Sequence, residues 1–285
     1  MSIETARLAE QQPLTNDVAL ARRYPCAAMA KLGWIAQVSR TVDRVTALRE
    51  FFGVSSLGNV PLAHGQADRR APHLEASAEA LAAWLRQGER LGGSTETSPF
   101  SDAKLRSVLG EIRSLTRLPP DESVPVVKAR LARCGVAWVL VAHLPRTGVH
   151  GATWWPSPER ALVQMSLRYN REDIFWFSLF HALGHVVLHP RRNGILIEDG
   201  GDSTDAVEIE ADEFADDVLI PRADYAAFVT HGDWRTTGGV MSFARSEYIS
   251  PGIVVGRLQH DKLLPHTHLN ALRRRFVWDN EAPQG

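Results

Sequence analysis

Val42, Val45, Leu48, Phe51 and Phe52 recur at intervals of three and four, with Gly53 directly after them. That spacing puts the apolar groups on one side of a helix, and the glycine ends it. The segments before residue 41 read as short helical pieces, one of them stopped by Pro25. Residues 53–72 are rich in Gly, Ser and Pro and read as a loop. A second helical pattern follows over 75–91, with Ala78, Leu81, Trp84 and Leu85 as its apolar side and Gly92-Gly93-Ser94 as its stop. Ser101 suits an N-cap for a helix carrying Leu105, Val108, Leu109, Ile112 and Leu115. Pro119-Pro120 interrupts the chain, and a helix over 122–133 leads to Gly135.

The pattern then changes. Val136-Ala137-Trp138-Val139-Leu140-Val141 is an unbroken apolar run that reads as a strand, and 149–155 and 161–166 read as two more. Gly151 inside the second strand predicts an edge or a bulge. Gly151, Ala152 and Thr153 on such an edge would offer backbone to an extended peptide. A longer helix begins near Glu172, with Glu172 and Asp173 placed to favour its dipole. After Pro190, residues 193–204 read as a polar loop and 207–220 as a helix. Helical pieces are expected near 222–230, 239–247 and 251–261. The prediction is an α+β protein. A mostly helical N-terminal region (1–120) precedes a domain (121–285) with a small three-stranded sheet and several helices.

Composition narrows the function only a little. The 285 residues carry a formal net charge of −1, so the chain as a whole is not a basic nucleic-acid binder. Cys26 and Cys134 are far apart and form no C-x-x-C pair, which suits a reducing compartment. Neither a leader nor a long apolar run is legible, so the expectation is a cytoplasmic protein without membrane contact.

The chemistry lies in the long helix. His181 and His185 are four apart in Phe175-Trp-Phe-Ser-Leu-Phe-His181-Ala182-Leu-Gly-His185-Val-Val-Leu-His189. Residues four apart share a helix face, so both rings can reach one tetrahedral metal ion. A third ligand should come from another element, and Glu208 on the next helix is the best choice. Asp212, one turn on, could hold the outer N–H of a ligating histidine. Glu210 points about 200° away from Glu208 at 3.6 residues per turn. His189 extends the histidine stripe, but three rings on one helix span about 12 Å and cannot share an ion. Two satisfied core histidines without metal are the bland alternative.

The run Phe-His-x-Leu-Gly-His-Val-Val-Leu-His, with Glu208-x-x-Ala211-Asp212-x-Phe214-Ala215 ending in Leu219-Ile220-Pro221, resembles the two motifs of the ImmA/IrrE metallopeptidase family. The resemblance extends over about 130–280. It implies Zn2+ held by His181, His185 and Glu208, and the Glu-x-x-x-Asp arrangement is similar to that of gluzincins. It further implies endoproteolysis of a regulatory protein, often an Xre-type repressor or antitoxin, in stress or mobile-element responses. Many such proteins carry an N-terminal Xre-type helix-turn-helix, as in HigA-like antitoxins. That domain is not legible here, which suggests a natural short form or a truncated one.

Ala182 departs from the family pattern. The H-E-x-x-H signature has its general-base Glu at that position, and alanine can neither take nor give a proton. An otherwise intact motif points to a substitution that stops cleavage. The alternative is a natural non-catalytic protein that keeps zinc for structure or sensing. Either way the expectation is a chain close to inactive. Tyr169, Tyr248, His266 and His268 are the residue types available to stabilise an oxyanion.

A second functional reading is a zinc-stabilised transcription regulator or antitoxin that binds DNA. Residues 239–261 read like a helix-turn-helix, with Pro251 opening the second helix. Arg245, Arg257, Lys262, Arg273, Arg274 and Arg275 would supply phosphate contacts.

Overall fold

The computed structural model describes residues 16–61, 77–166, 170–191, 194–198 and 205–276. Tyr169 and parts of the loops read over 53–72 and 193–204 lie outside the described residues. The chain divides into two compact units. Of the described residues, one unit holds those up to Leu91 together with Val141–Val149, and the other holds Gly92–Leu140 and those from His150 to Phe276. The helix expected after Ser101 therefore lies in the same unit as the sheet.

The first unit contains α1 (Cys26–Lys31), α2 (Thr41–Phe52) and most of α3 (Ala78–Ser94). Helix α2 buries Val45, Leu48, Phe51 and Phe52, four of the five residues that predicted it. Gly53 closes it in the left-handed conformation at φ 69°, which glycine adopts without strain. Asp17 is fully buried and accepts from Arg49, Ser56 Oγ and the Leu57 N–H at 2.7, 2.8 and 2.9 Å. Those three donors, with the Arg49 charge, hold its carboxyl below the usual range although burial alone would raise it.

The second unit is mixed α and β. Helices α4 (Asp102–Ser114) and α5 (Pro120–Arg133) precede β1 (Val136–Val141), β2 (Gly151–Ser157) and β3 (Arg160–Ser166). Then come α6 (Glu172–Leu188), β4 (Leu196–Glu198), α7 (Ala206–Leu219), α8 (Arg222–His231), α9 (Thr237–Ser246) and α10 (Pro251–His260). Ser101 caps α4 as expected, its Oγ accepting from the Lys104 N–H at 3.4 Å.

The sheet has four strands in the order β1-β3-β2-β4. The fourth falls at the start of the stretch read as a polar loop, where Ile195-Leu196-Ile197 supply a short apolar run. Its presence corrects the edge reading of Gly151, Ala152 and Thr153. These residues pair with Met165, Gln164 and Val163 of β3 on one side. On the other they pair with Glu198, Ile197 and Leu196 of β4, so their backbone is inside the sheet. Among the described residues the outer strands of the sheet are β1 and β4.

Side chains alternate between faces along each strand, and cross-strand partners share a face. Gly151, Thr153, Val163, Met165, Leu196 and Glu198 therefore lie on one side. On that side Val163 and Met165 join the core formed with Phe175, Trp176, Phe180, Ala182 and Leu183 of α6. Trp138 links strand and helix, donating its indole N–H to Met165 sulfur at 3.1 Å and meeting the Phe175 ring at 6.0 Å.

Helix α6 is buried for most of its length, including both acids of its first turn. Each acid has a cationic partner from the chain's last described stretch. Arg273 Nε donates to Asp173 at 3.0 Å, and Arg274 Nε donates to Glu172 at 2.7 Å. Ser250 Oγ adds a third contact, donating to Glu172 at 3.0 Å.

That arrangement bears on the helix-turn-helix reading. Helices α9 and α10 and the short turn between them are present. However, Ile253, Val254, Val255 and Leu258 of α10 are core residues, so this face cannot enter a groove. Arg257 is bound to Asp216 and Asp261, and Arg273 and Arg274 are spent on α6. Only Arg245, Lys262 and Arg275 of the six expected phosphate contacts are exposed. The apolar face serves the fold.

Candidate metal centre

Helices α6 and α7 pack closely at Gly184. A Cβ there would lie 3.1 Å from Phe214 and 3.2 Å from the Cα and carbonyl oxygen of Ala211. The absence of a side chain lets the two backbones meet, and this brings the His181 and His185 face of α6 against Glu208 of α7. Asp205 starts α7 by accepting from the Val207 N–H at 3.1 Å. That cap places Glu208 in the first turn, where the helix dipole favours its charge.

The three groups converge. His181 Nε2 and His185 Nε2 are 3.0 Å apart. Glu208 Oε2 is 3.3 Å from the first and 3.4 Å from the second. Tetrahedral bonds of about 2.0–2.1 Å put neighbouring ligand atoms about 3.3–3.4 Å apart. The spacing therefore fits one ion, and two imidazoles with one carboxylate are a donor set suited to zinc. All three residues are buried, and they form the one such group found among the described residues. Three protein ligands leave a fourth position for water or substrate.

The outer contacts separate the ligands from their neighbours. His181 Nδ1–H donates to Asp212 Oδ1 at 2.7 Å, which turns Nε2 toward the centre. Of the rival residues, His189 meets the outer nitrogen of His185 at 3.4 Å through Nδ1 and Glu210 Oε2 at 2.8 Å through Nε2, so neither enters the group itself.

Without an ion the site is a network of charges. Burial alone would push the His181 ring down, but the carboxylates of Glu198, Asp212 and Glu208 outweigh it and raise it to about 10. His185 is lowered, chiefly by burial. Burial raises Glu208, yet the hydrogen bonds from His181 and His185 bring it well below the usual carboxylate range.

Ala182 follows His181 in the buried core and offers a methyl group. Of the oxyanion candidates, Tyr169 is outside the described residues. Tyr248 is 64 % exposed, beneath the Arg117 guanidinium. His268 faces the Arg235 carbonyl at 3.2 Å, and neither it nor His266 joins the metal group.

One residue near the centre was missed in the sequence. Glu198 of β4 is 7 % exposed, and its carboxyl is raised to about 7. Burial is the main cause, and the negative charges of Glu208 and Asp212 add to it against the opposing His181 charge. The signal for it was the apolar run 195–197 between glycine and acid, which marks a short strand.

Two histidines one turn apart and a glutamate from a second helix form a buried group able to hold one metal ion. The comparison with known families agrees. Residues 147–243 match the family model of peptidase M78, the IrrE N-terminal-like domain. That stretch includes both helices of the site, and the match supports the ImmA/IrrE family and a metallopeptidase function. A comparison with curated proteins returned no match.

Proposed function

We propose that the chain is a zinc-dependent endopeptidase whose substrate is a regulatory protein of the Xre-type repressor or antitoxin class, acting in the cytoplasm. The observation that carries this reading is the meeting of His181, His185 and Glu208 at 3.0–3.4 Å within the M78-like stretch. No described helix is long and apolar enough to cross a membrane, which accords with a water-borne protein substrate.

His181, His185 and Glu208 would hold the ion, which when bound polarises the scissile carbonyl and makes water a better nucleophile. Asp212 fixes the His181 tautomer, so that Nε2 keeps its lone pair for binding. The proton has to leave the attacking water and reach the leaving amine. Residue 182 carries that proton in H-E-x-x-H peptidases, and its methyl group here cannot. The chain is therefore slow by this route. Ala182→Glu is expected to raise cleavage by about 10²–10⁴-fold, the usual worth of a positioned base.

The test pairs the zinc-loaded chain and its Ala182→Glu form with the product of the neighbouring regulator gene, followed by intact mass. Cleavage at one site, far faster with Ala182→Glu, supports the reading. A substrate left whole by both forms, with zinc bound, contradicts it.

A further inference from the structure

We propose that Glu198 takes over the proton-transfer role that Ala182 leaves vacant, reaching the metal centre from the neighbouring sheet. This rests on the peptidase reading. The first ground is position. Glu198 pairs with Gly151, whose other partner is Met165. The side chains at these positions share the sheet face that packs beneath α6, the helix of His181, Ala182 and His185. The second ground is an unmet need. Glu198 Oε1 is buried and has no hydrogen-bond partner among the described residues. A buried carboxyl oxygen left unpaired is costly and calls for an explanation.

The third ground is the space made for it. A Cβ on Gly151 would come 2.7 Å from Glu198 Oε2 and 3.1 Å from Oε1, so the carboxyl occupies the place where any other residue would put its side chain. The fourth is the company it keeps, since the charges acting on Glu198 are those of His181, Glu208 and Asp212. A carboxyl that changes protonation near neutrality is also well matched to moving a proton at physiological pH.

In the proposed step Glu198 carboxylate takes a proton from the attacking water as the water oxygen bonds to the scissile carbonyl carbon. The C–N bond then breaks with its electron pair going to nitrogen. Glu198 gives the proton to that nitrogen and is again a carboxylate. One water is consumed, and one amine and one carboxyl group are produced.

The test is a double-mutant cycle with a cobalt readout beside it. The substrate probe is a pool of unstructured synthetic peptides, with products read by mass spectrometry. Glu198→Gln is expected to lower the rate of the chain about 100-fold. In the Ala182→Glu background the same change is expected to matter by less than about threefold, because the base is then on α6. Equal losses in both backgrounds, or none in either, overturn the proposal.

For the second readout, Co2+ is bound in place of zinc and its visible spectrum is titrated across the neutral range. Glu198→Gln should move or abolish the spectral transition, and Gly151→Ala, which displaces the carboxyl without removing it, should move it too. A transition unchanged in both variants overturns the proposal. The readouts separate the two claims. A pool left whole by both the parent chain and Ala182→Glu defeats the peptidase reading, while the cobalt titration still decides whether Glu198 exchanges a proton at the centre.

Discussion

Asp212→Asn removes a charge from behind His181, a proposed metal ligand, while keeping an acceptor beside it. Asp212 Oδ1 lies 2.7 Å from His181 Nδ1. Changing such a partner typically lowers metal affinity 10–100-fold, about 1.4–2.7 kcal/mol. A second effect opposes it. In the metal-free protein the carboxylates around His181 hold its ring protonated up to about pH 10. A ligating imidazole must be neutral, so zinc has to displace that proton. Each pH unit below the ring's pKa weakens apparent binding about tenfold, or about a thousandfold at pH 7. Without the Asp212 charge the proton leaves at lower pH. Wild-type zinc affinity should therefore climb steeply with pH through pH 9. The variant should flatten sooner, at a plateau 10–100-fold below the wild-type limit. Competition with a chromophoric chelator at several pH values gives both curves, and calorimetry in two buffers gives the protons released. Parallel curves for the two proteins would refute the reasoning.

Two further substitutions test the frame that holds the site. Gly184→Val places a branched side chain where even a Cβ would be 3.2 Å from the α7 backbone, so α6 and α7 must separate. Overpacking of this kind destabilises by about 1–3 kcal/mol, and zinc binding should weaken with it; unchanged melting and affinity would contradict the close approach. Arg273→Met leaves buried Asp173 without its cationic partner, which should destabilise the protein by about 3 kcal/mol or more; a loss below about 1 kcal/mol in chemical denaturation would show that the pair does not anchor α6.

The His181, His185 and Glu208 group was legible because each helix's contribution follows from its own periodicity. His181 and His185 are one turn apart on an apolar helix, and Glu208 and Asp212 repeat that interval on the next. The i to i+4 geometry is fixed by the backbone, so a local pattern predicts a shared face. Strand order is not fixed in this way. Gly151 suggested an edge, yet whether a strand is covered depends on a partner elsewhere in the chain. Here the partner is β4, three residues long and bounded by polar sequence. Missing β4 meant missing Glu198 as well. The helix-turn-helix reading was only half legible for a related reason: its two helices are present, and three of its six basic residues are engaged within the fold. Two helices with a tight turn look alike in sequence whether the second helix faces a groove or a core. Ile253, Val254, Val255 and Leu258 mark the face of the second helix that packs in the core.

The central claim is that His181, His185 and Glu208 hold one metal ion. Zinc content and X-ray absorption of the zinc-loaded protein test it most directly, with His185→Ala and Glu208→Ala as comparisons. The account predicts one zinc per chain with nitrogen and oxygen neighbours near 2.0–2.1 Å, the distances usual for imidazole and carboxylate ligands, and loss of tight binding in both variants. A chain that binds no zinc, or binds it equally well after either substitution, would contradict it.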